Sequence, residues 1–163
     1  MKYLKLFESF EDVNEICKKY DIKDYTINTD GSIDVNASVN LLNEKLTKLP
    51  LKFNKVNGSF YCYKNELTSL KGSPKKVGGD FYCSYNILTS LKGSPESVRG
   101  SFYCSYNKIS SLKGCPKYIG MSFVCFNNPL ESLEGYDGEY HKFFCTNKKK
   151  LIRKEKIRII NNI

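Results

Sequence analysis

Residues 77–97, VGGDFYCSYNILTSLKGSPES, carry the clearest indication of the fold, because closely similar stretches lie on both sides of them. Residues 98–118 read VRGSFYCSYNKISSLKGCPKY, and residues 56–76 read VNGSFYCYKNELTSLKGSPKK. The copies follow one another directly, without an insertion. Self-similarity at a fixed period is typical of a solenoid, in which each repeat forms one coil stacked on its neighbours.

The repeat extends beyond these three copies in both directions. A fourth copy starts at Ile119 with IGMSFVCFNNPLESLEG, and a worn copy starts at Val35. A truncated last copy ends at Phe143 and Cys145, one residue short of the period. The sequence therefore predicts a solenoid domain of about six coils over residues 35–147, with worn copies at its two ends.

Equivalent positions of the repeat form columns of similar side chains. Phe and Cys lie two positions apart, and alternate residues of a strand share a face, so both columns are predicted to point into the core. The Phe column is Phe60, Phe81, Phe102 and Phe123, and the Cys column is Cys62, Cys83, Cys104 and Cys125. Two apolar columns follow, first Leu67, Leu88, Ile109 and Leu130, then Leu70, Leu91, Leu112 and Leu133.

Two of the polar columns have a predicted structural role. The Asn column consists of Asn65, Asn86, Asn107 and Asn128. A buried Asn needs hydrogen-bond partners, so this column is predicted to bond the turn backbone of neighbouring coils. A Lys column consists of Lys71, Lys92 and Lys113. It is predicted to be a solvated edge, with a phosphate- or acid-binding edge as the alternative.

The Cys column also raises the question of a metal site. Zinc sites need ligand pairs two to four positions apart that converge on one point, whereas here one thiol comes from each coil, at a spacing of about 5 Å. Free Cys behaves as a small apolar residue and is among the most buried residue types. The column is therefore predicted to belong to the core, and no metal or other cofactor is predicted.

The order of strand, Asn and leucines resembles a leucine-rich repeat. The pattern is F-x-C-x-x-N-x-L-x-x-L, followed by Gly-x-Pro. The blocks LTSLKGSP and GGDFYC are similar to repeat proteins encoded by tailed phages, and the resemblance spans about residues 22–147. It implies an α/β solenoid of the short leucine-rich repeat type, with a parallel sheet on its concave face. The resemblance also implies that the gene is carried by a phage.

Residues 1–34 are predicted to form a cap of one helix and one β-hairpin. The apolar residues with helical spacing are Tyr3, Leu6, Phe10, Val13, Cys17 and Tyr20. Beyond them, Tyr25–Ile27 and Ile33–Val35 flank the turn residues Asp30 and Gly31, which are typical of a hairpin. Because a solenoid must cover the apolar ends of its core, this segment is predicted to cover the first coil.

Residues 148–163 form a basic carboxyl-terminal cap or tail. The whole chain carries a net charge of +9, and KKKLIRKEKIR at residues 148–158 holds seven basic residues against one glutamate. The apolar residues of this segment fall near one helical face and predict a short helix over the last coil. A strand through residues 156–160 is the alternative.

Composition excludes several classes of protein. Hydrophobic residues make up 40% of the chain, too many for a disordered protein, and no apolar stretch approaches the roughly 18 residues of a membrane span. The start of the chain lacks the apolar core of a secretory signal, so seven reduced Cys and a cytoplasmic location are expected. With the single histidine His141 and no nucleophile–base pair, the chain is predicted not to be an enzyme, and no catalytic residue is assigned.

Aromatic side chains occupy the outward positions of the strands and the positions just after them. They are Tyr61, Tyr63, Tyr82, Tyr85, Tyr103, Tyr106, Phe126 and Phe144. One interpretation is a cross-strand ladder that stabilises the sheet, and the other is a recognition surface, since Tyr is enriched at binding hot spots. The leading functional hypothesis is a protein-binding module that docks a partner on this face, with a phage protein engaging a host defence protein as its specific form.

Two other functions stay open at this point. Nucleic acid or another polyanion would bind through the tail, at Lys148, Lys149, Lys150, Arg153 and Lys154, by counterion release. Alternatively, the protein is a virion component or a self-assembling structural protein that uses the open ends of the solenoid. The sequence favours neither over protein binding, because function depends on the site rather than on the fold.

Overall fold

The computed structural model describes residues 12–133, residues 142–146 and Ile152. They form a solenoid whose strands belong to two six-stranded sheets. The first sheet contains, in spatial order, β1 (Tyr25–Ile27), β2 (Ile33–Val35), β4 (Phe53–Val56), β6 (Lys76–Val77), β8 (Ser97–Val98) and β10 (Tyr118–Ile119). The second contains β3 (Val39–Asn40), β5 (Phe60–Tyr61), β7 (Phe81–Tyr82), β9 (Phe102–Tyr103), β11 (Ser122–Cys125) and β12 (Lys142–Cys145).

Apart from a register shift between Ile33 and Asp34, where β2 pairs with β4, the parallel strands stack in register from one coil to the next. Val56 of β4 pairs with Val77 of β6, and Phe60 of β5 pairs with Phe81 of β7, both in parallel and both exactly one repeat period along the chain. In the last described coil Phe123 pairs with Phe143, one position short of that period, which confirms the truncated final copy. The repeat and the predicted solenoid are therefore the observed architecture of the described chain.

Among the described residues, the coils from β2 to β11 contribute two strands each, whereas the repeat pattern predicts one. The additional strands form the first sheet, and their inward residues are Val56, Val77, Val98 and Ile119, all buried. In the central coil the two strands are separated by a bend at Gly78 and Gly79. A Cβ atom on Gly78 would collide with the backbone carbonyl of Asn57 in the neighbouring coil, so the close stacking of this bend requires glycine.

The rest of each coil consists of turns and irregular chain. Among the described residues, the helical segments are 12–19 and the single residue Ile152, and no helix connects the strands of residues 20–133. The structure therefore supports a solenoid of stacked parallel strands. The α/β class, the leucine-rich repeat type and the capping roles of the two ends stay predictions.

The core fills the space between the two sheets and the irregular arm of each coil. The rings of Phe60, Phe81 and Phe102 stack in parallel, with centroids 5.4 Å and 5.3 Å apart. Phe53 of the first sheet meets Phe60 edge to face at 5.0 Å, which joins the two sheets through the core. The predicted Phe and Cys columns and the described leucine columns are buried, except that Leu130 is only partly so.

The Asn column bonds neighbouring coils as predicted. Asn86 Oδ1 accepts from the backbone N–H of Leu67 in the preceding coil at 2.9 Å. Its Nδ2 donates to the carbonyl oxygens of Cys62, at 3.0 Å, and Cys83, at 3.1 Å. Asn65, Asn107 and Asn128 make equivalent bonds. The column therefore supplies partners to turn backbone that the sheets leave unpaired.

At the amino-terminal side, strands β1 and β2 pair antiparallel and form the predicted hairpin. Gly31 in its turn has a φ of +74°, a conformation that favours glycine. Val13 and Cys17 of the helical residues 12–19 are buried in the core cluster. Tyr3, Leu6 and Phe10 lie outside the described residues. No helix in the described ranges is long and apolar enough to cross a membrane.

Candidate recognition surface

Tyr61, Tyr82 and Tyr103 form a ladder on the outward face of the second sheet. Their ring centroids are 5.0 Å and 4.5 Å apart, and the ring planes lie within 14° and 5° of parallel. Each ring is half-buried by its neighbours. The stacking follows from the in-register pairing of β5, β7 and β9, which places identical side chains one above the other.

Two contacts fix the position of this ladder. The hydroxyl of Tyr82 donates to Asp80 Oδ2 at 3.1 Å. Burial, together with the charge of Asp80, raises the pKa of Tyr82. Tyr63 adds a fourth ring, with its centroid 6.5 Å from that of Tyr61 and 6.0 Å from that of Tyr82. The stacking of these rings therefore stabilises the second sheet.

Tyr85 and Tyr106 form a second and more exposed pair. Their ring centroids are 4.3 Å apart with the planes 9° from parallel, and the residues are 48% and 47% exposed. Burial and the hydrogen bond with Tyr106 raise the pKa of Tyr85. Both residues follow the second-sheet strand of their coil, at the start of the turn that the Asn column supports.

The backbone does not require tyrosine at these two positions. The equivalent residues are Asn43, Lys64, Tyr85, Tyr106 and Asn127, and all five have a left-handed φ between 52° and 57°. Side chains in this conformation are mildly strained, and Asn is the residue that best tolerates it. Because Lys or Asn occupies this position in the other coils, the fold does not explain the two exposed tyrosines.

Phe126 and Phe144 form a third group at the far end of the second sheet. Their ring centroids are 6.4 Å apart, and they are 41% and 42% exposed. The eight residues named from the sequence therefore fall into three groups of ring contacts. We call their combined exposed area the aromatic surface: Tyr61, Tyr63, Tyr82, Tyr85, Tyr103, Tyr106, Phe126 and Phe144.

Three further apolar residues are exposed, one beside this surface and two elsewhere, and the sequence pattern did not single them out. Ile87, two positions after Tyr85, is 40% exposed, and its equivalents Glu66 and Lys108 are polar. Tyr118, at 55% exposed, lies on the first sheet, and Met121, at 58%, follows it closely in the chain. Ile87 could have been recognised from the sequence, because it is apolar where the neighbouring copies have Glu66 and Lys108.

The remaining sequence candidates do not form a described site. The tail residues Lys148, Lys149, Lys150, Arg153 and Lys154 lie outside the described residues. In the described ranges, no group of three or more His, Cys, Asp and Glu is placed to hold a metal ion. Cys62, Cys83 and Cys104 are buried core residues, as predicted, and burial raises their thiol pKa values.

Thiol labelling of the folded protein is expected to separate Cys115 from the Cys column. Cys115 is only partly buried and none of the seven cysteines forms a disulfide. The buried thiols are shielded and rarely ionised, so at pH 8 Cys83 should react roughly a hundredfold more slowly than Cys115. Mass spectrometry of iodoacetamide-treated protein measures both rates. Equal rates would contradict the buried column.

No family model, curated protein or solved structure matches this chain. The resemblance to leucine-rich repeats and to phage repeat proteins therefore stays a prediction from the motifs.

Proposed function

We propose that this chain is a non-enzymatic protein-binding module whose partner docks on the aromatic surface. The observation that carries the proposal is the stacked pair Tyr85 and Tyr106. Both rings are half exposed at a backbone position that Lys64 and Asn127 fill in other coils. Exposed, stacked aromatic side chains that the fold does not need are typical of interface hot spots.

The side chains of the aromatic surface indicate the chemistry of the partner patch that would bind to it. Its centre offers apolar ring faces together with Ile87, so the partner patch presents apolar side chains to it. Lys64 and Lys108 are exposed and border the centre, so the rim of the partner patch is acidic. In the specific form of the proposal, the chain is a phage protein and the partner is a host protein, with a defence component as the candidate.

Capture of a partner from host lysate, followed by affinity measurement, tests the proposal. The variant Tyr85→Ser with Tyr106→Ser is expected to weaken binding of the captured protein by roughly thirtyfold or more, since paired hot-spot rings are lost. The control variant Tyr118→Ser with Met121→Ser removes as much exposed apolar surface elsewhere and should leave the affinity within about twofold. Equal losses in both variants would contradict the aromatic surface as the docking site.

The same capture separates the two alternative functions. A nuclease-sensitive mixture that is lost as salt rises would favour polyanion binding through the basic tail. Concentration-dependent assembly of the purified chain in sedimentation would favour a structural protein. One protein retained through nuclease and moderate salt supports the proposed binding module.

A further inference from the structure

A basic cleft lies on the outward face of the first sheet, away from the aromatic surface of the second. Its volume is about 490 Å³, and its lining includes Lys55, Lys76, Arg99, Asn57 and Ser97. Val56 and Val77 are buried, so Lys55 and Lys76, their neighbours in β4 and β6, project from the opposite face of the sheet. Arg99 is exposed and directly follows Val98, the buried residue at the end of β8. We call this depression the basic cleft.

Strand register brings two of the cations together. Lys55 of β4 and Lys76 of β6 are direct partners in the parallel ladder, which places them about 4.8 Å apart along the solenoid. Like charges directly opposite each other in a sheet are unfavourable. Bound negative charge between the two ammonium groups would remove that repulsion.

Among the described residues, no carboxylate forms an ion pair with Lys55 or Lys76. Asp34 is the ladder partner of Lys55, but its Oδ1 accepts from Asn54 Nδ2 at 2.7 Å and from Asn28 Nδ2 at 3.4 Å. Glu96 borders an adjoining depression with Lys55 and Lys76 but forms no ion pair with either. Within the described ranges, the ion pairs are Lys23 with Asp21 and Lys52 with Asp30, both elsewhere.

Glycine gives the cleft its depth. Gly78 lies in the column between Asn57 and Arg99, and it cannot carry a side chain because a Cβ would collide with the Asn57 carbonyl. The floor is therefore open backbone, with Arg99 on one side of it. Arg provides a rigid fork of N–H donors that matches the oxygens of a phosphate, and Lys adds mobile point charges.

The extent of the cationic row limits the size of the ligand. The column of Lys55 and Lys76 continues as Ser97 and Tyr118, neither of which is charged. The three cations of the cleft come from three adjacent coils. A volume of about 490 Å³ suits a compact ligand with several adjacent phosphate groups rather than a long polyanion. We propose that the basic cleft binds a small oligophosphate, such as an inorganic polyphosphate or the phosphate chain of a nucleotide.

Calorimetry with inorganic tripolyphosphate and the full chain tests the basic cleft. The variant Lys55→Gln, Lys76→Gln, Arg99→Gln should lose affinity by about tenfold or more, since each cation contacts the ligand. A matched control, Lys18→Gln, Lys45→Gln, Lys48→Gln, removes three exposed positive charges elsewhere and should change affinity by about twofold at most. The variant Glu96→Gln should tighten binding, because it removes a negative charge that lines the adjoining depression beside Lys55 and Lys76.

Three outcomes would overturn the proposal. The first is that the native protein binds no tripolyphosphate in low salt. The second is that the cleft and control variants lose affinity equally, which would mean that net charge alone attracts the anion. The third is that a single-stranded oligonucleotide of equal charge binds the cleft more tightly than tripolyphosphate, which would assign it to nucleic acid. Thermal unfolding of each variant verifies that the fold is retained.

Discussion

Replacing Phe81 with alanine is expected to lower the free energy of unfolding by roughly 4 kcal/mol, the loss typical of a large buried aromatic residue. The ring is fully buried and stacks on Phe60 at 5.4 Å and on Phe102 at 5.3 Å. Its removal leaves a cavity in the middle of the stack, which the rigid register of the two sheets prevents from collapsing. Chemical denaturation followed by circular dichroism measures the change.

Phe126→Ala is the matched control for this substitution. Phe126 lies on the outside of the same sheet region and is 41% exposed, so its truncation leaves no internal cavity. We expect a loss of less than about 1 kcal/mol. Similar losses for the two variants would mean that the Phe column does not form a continuous core.

Replacing Asn86 with alanine is expected to cost roughly 2 to 3 kcal/mol, although the side chain is small and polar. The backbone N–H of buried Leu67 donates to Asn86 Oδ1 at 2.9 Å, and the substitution would leave that donor without a partner. An orphaned buried donor costs about 1–3 kcal/mol. The carbonyl oxygens of Cys62 and Cys83 keep their bonds to Asn65 and Asn107, so the donor and the small cavity dominate.

Asn40→Ala is the control for the Asn column. Asn40 is exposed, and its Oδ1 accepts from the N–H of Leu42, a bond that water can replace. We expect a change within about 0.5 kcal/mol in the same denaturation experiment. If Asn86→Ala proved equally mild, water would have to reach the inside of the coil.

Much of the solenoid could be predicted because the same pattern of apolar and polar residues recurs in several copies. One Phe-x-Cys segment is too short to identify a strand, but four copies in register identify both inward columns. The Asn bonds could also be predicted, since a recurring polar residue between apolar columns needs buried partners. The valine strand was missed because in the central coils it is too short to show alternation.

The aromatic residues were predicted from the sequence, but the basic cleft was not. The aromatic residues were found because they recur with the period of the repeat, but their unequal exposure was not visible in the pattern. Tyr82 is half-buried and bonded to Asp80, whereas Tyr85 is 48% exposed. The basic cleft was missed because Lys76 precedes the valine of its coil and Arg99 follows the valine of the next. These residues occupy different columns and meet only where coils stack.

Spacing along the chain was enough to establish the period, the coil order, the inward Phe, Cys and Asn columns and the shortened last coil. A repeat fixes such spacing directly, so these features needed no coordinates. Three other features are set only by the tertiary structure. They are the number of strands in each coil, the exposure of individual tyrosines and the position of the basic cleft. Those features depend on contacts between coils, because strand pairing and exposure arise from the neighbours that stacking supplies rather than from the order of residues within one repeat.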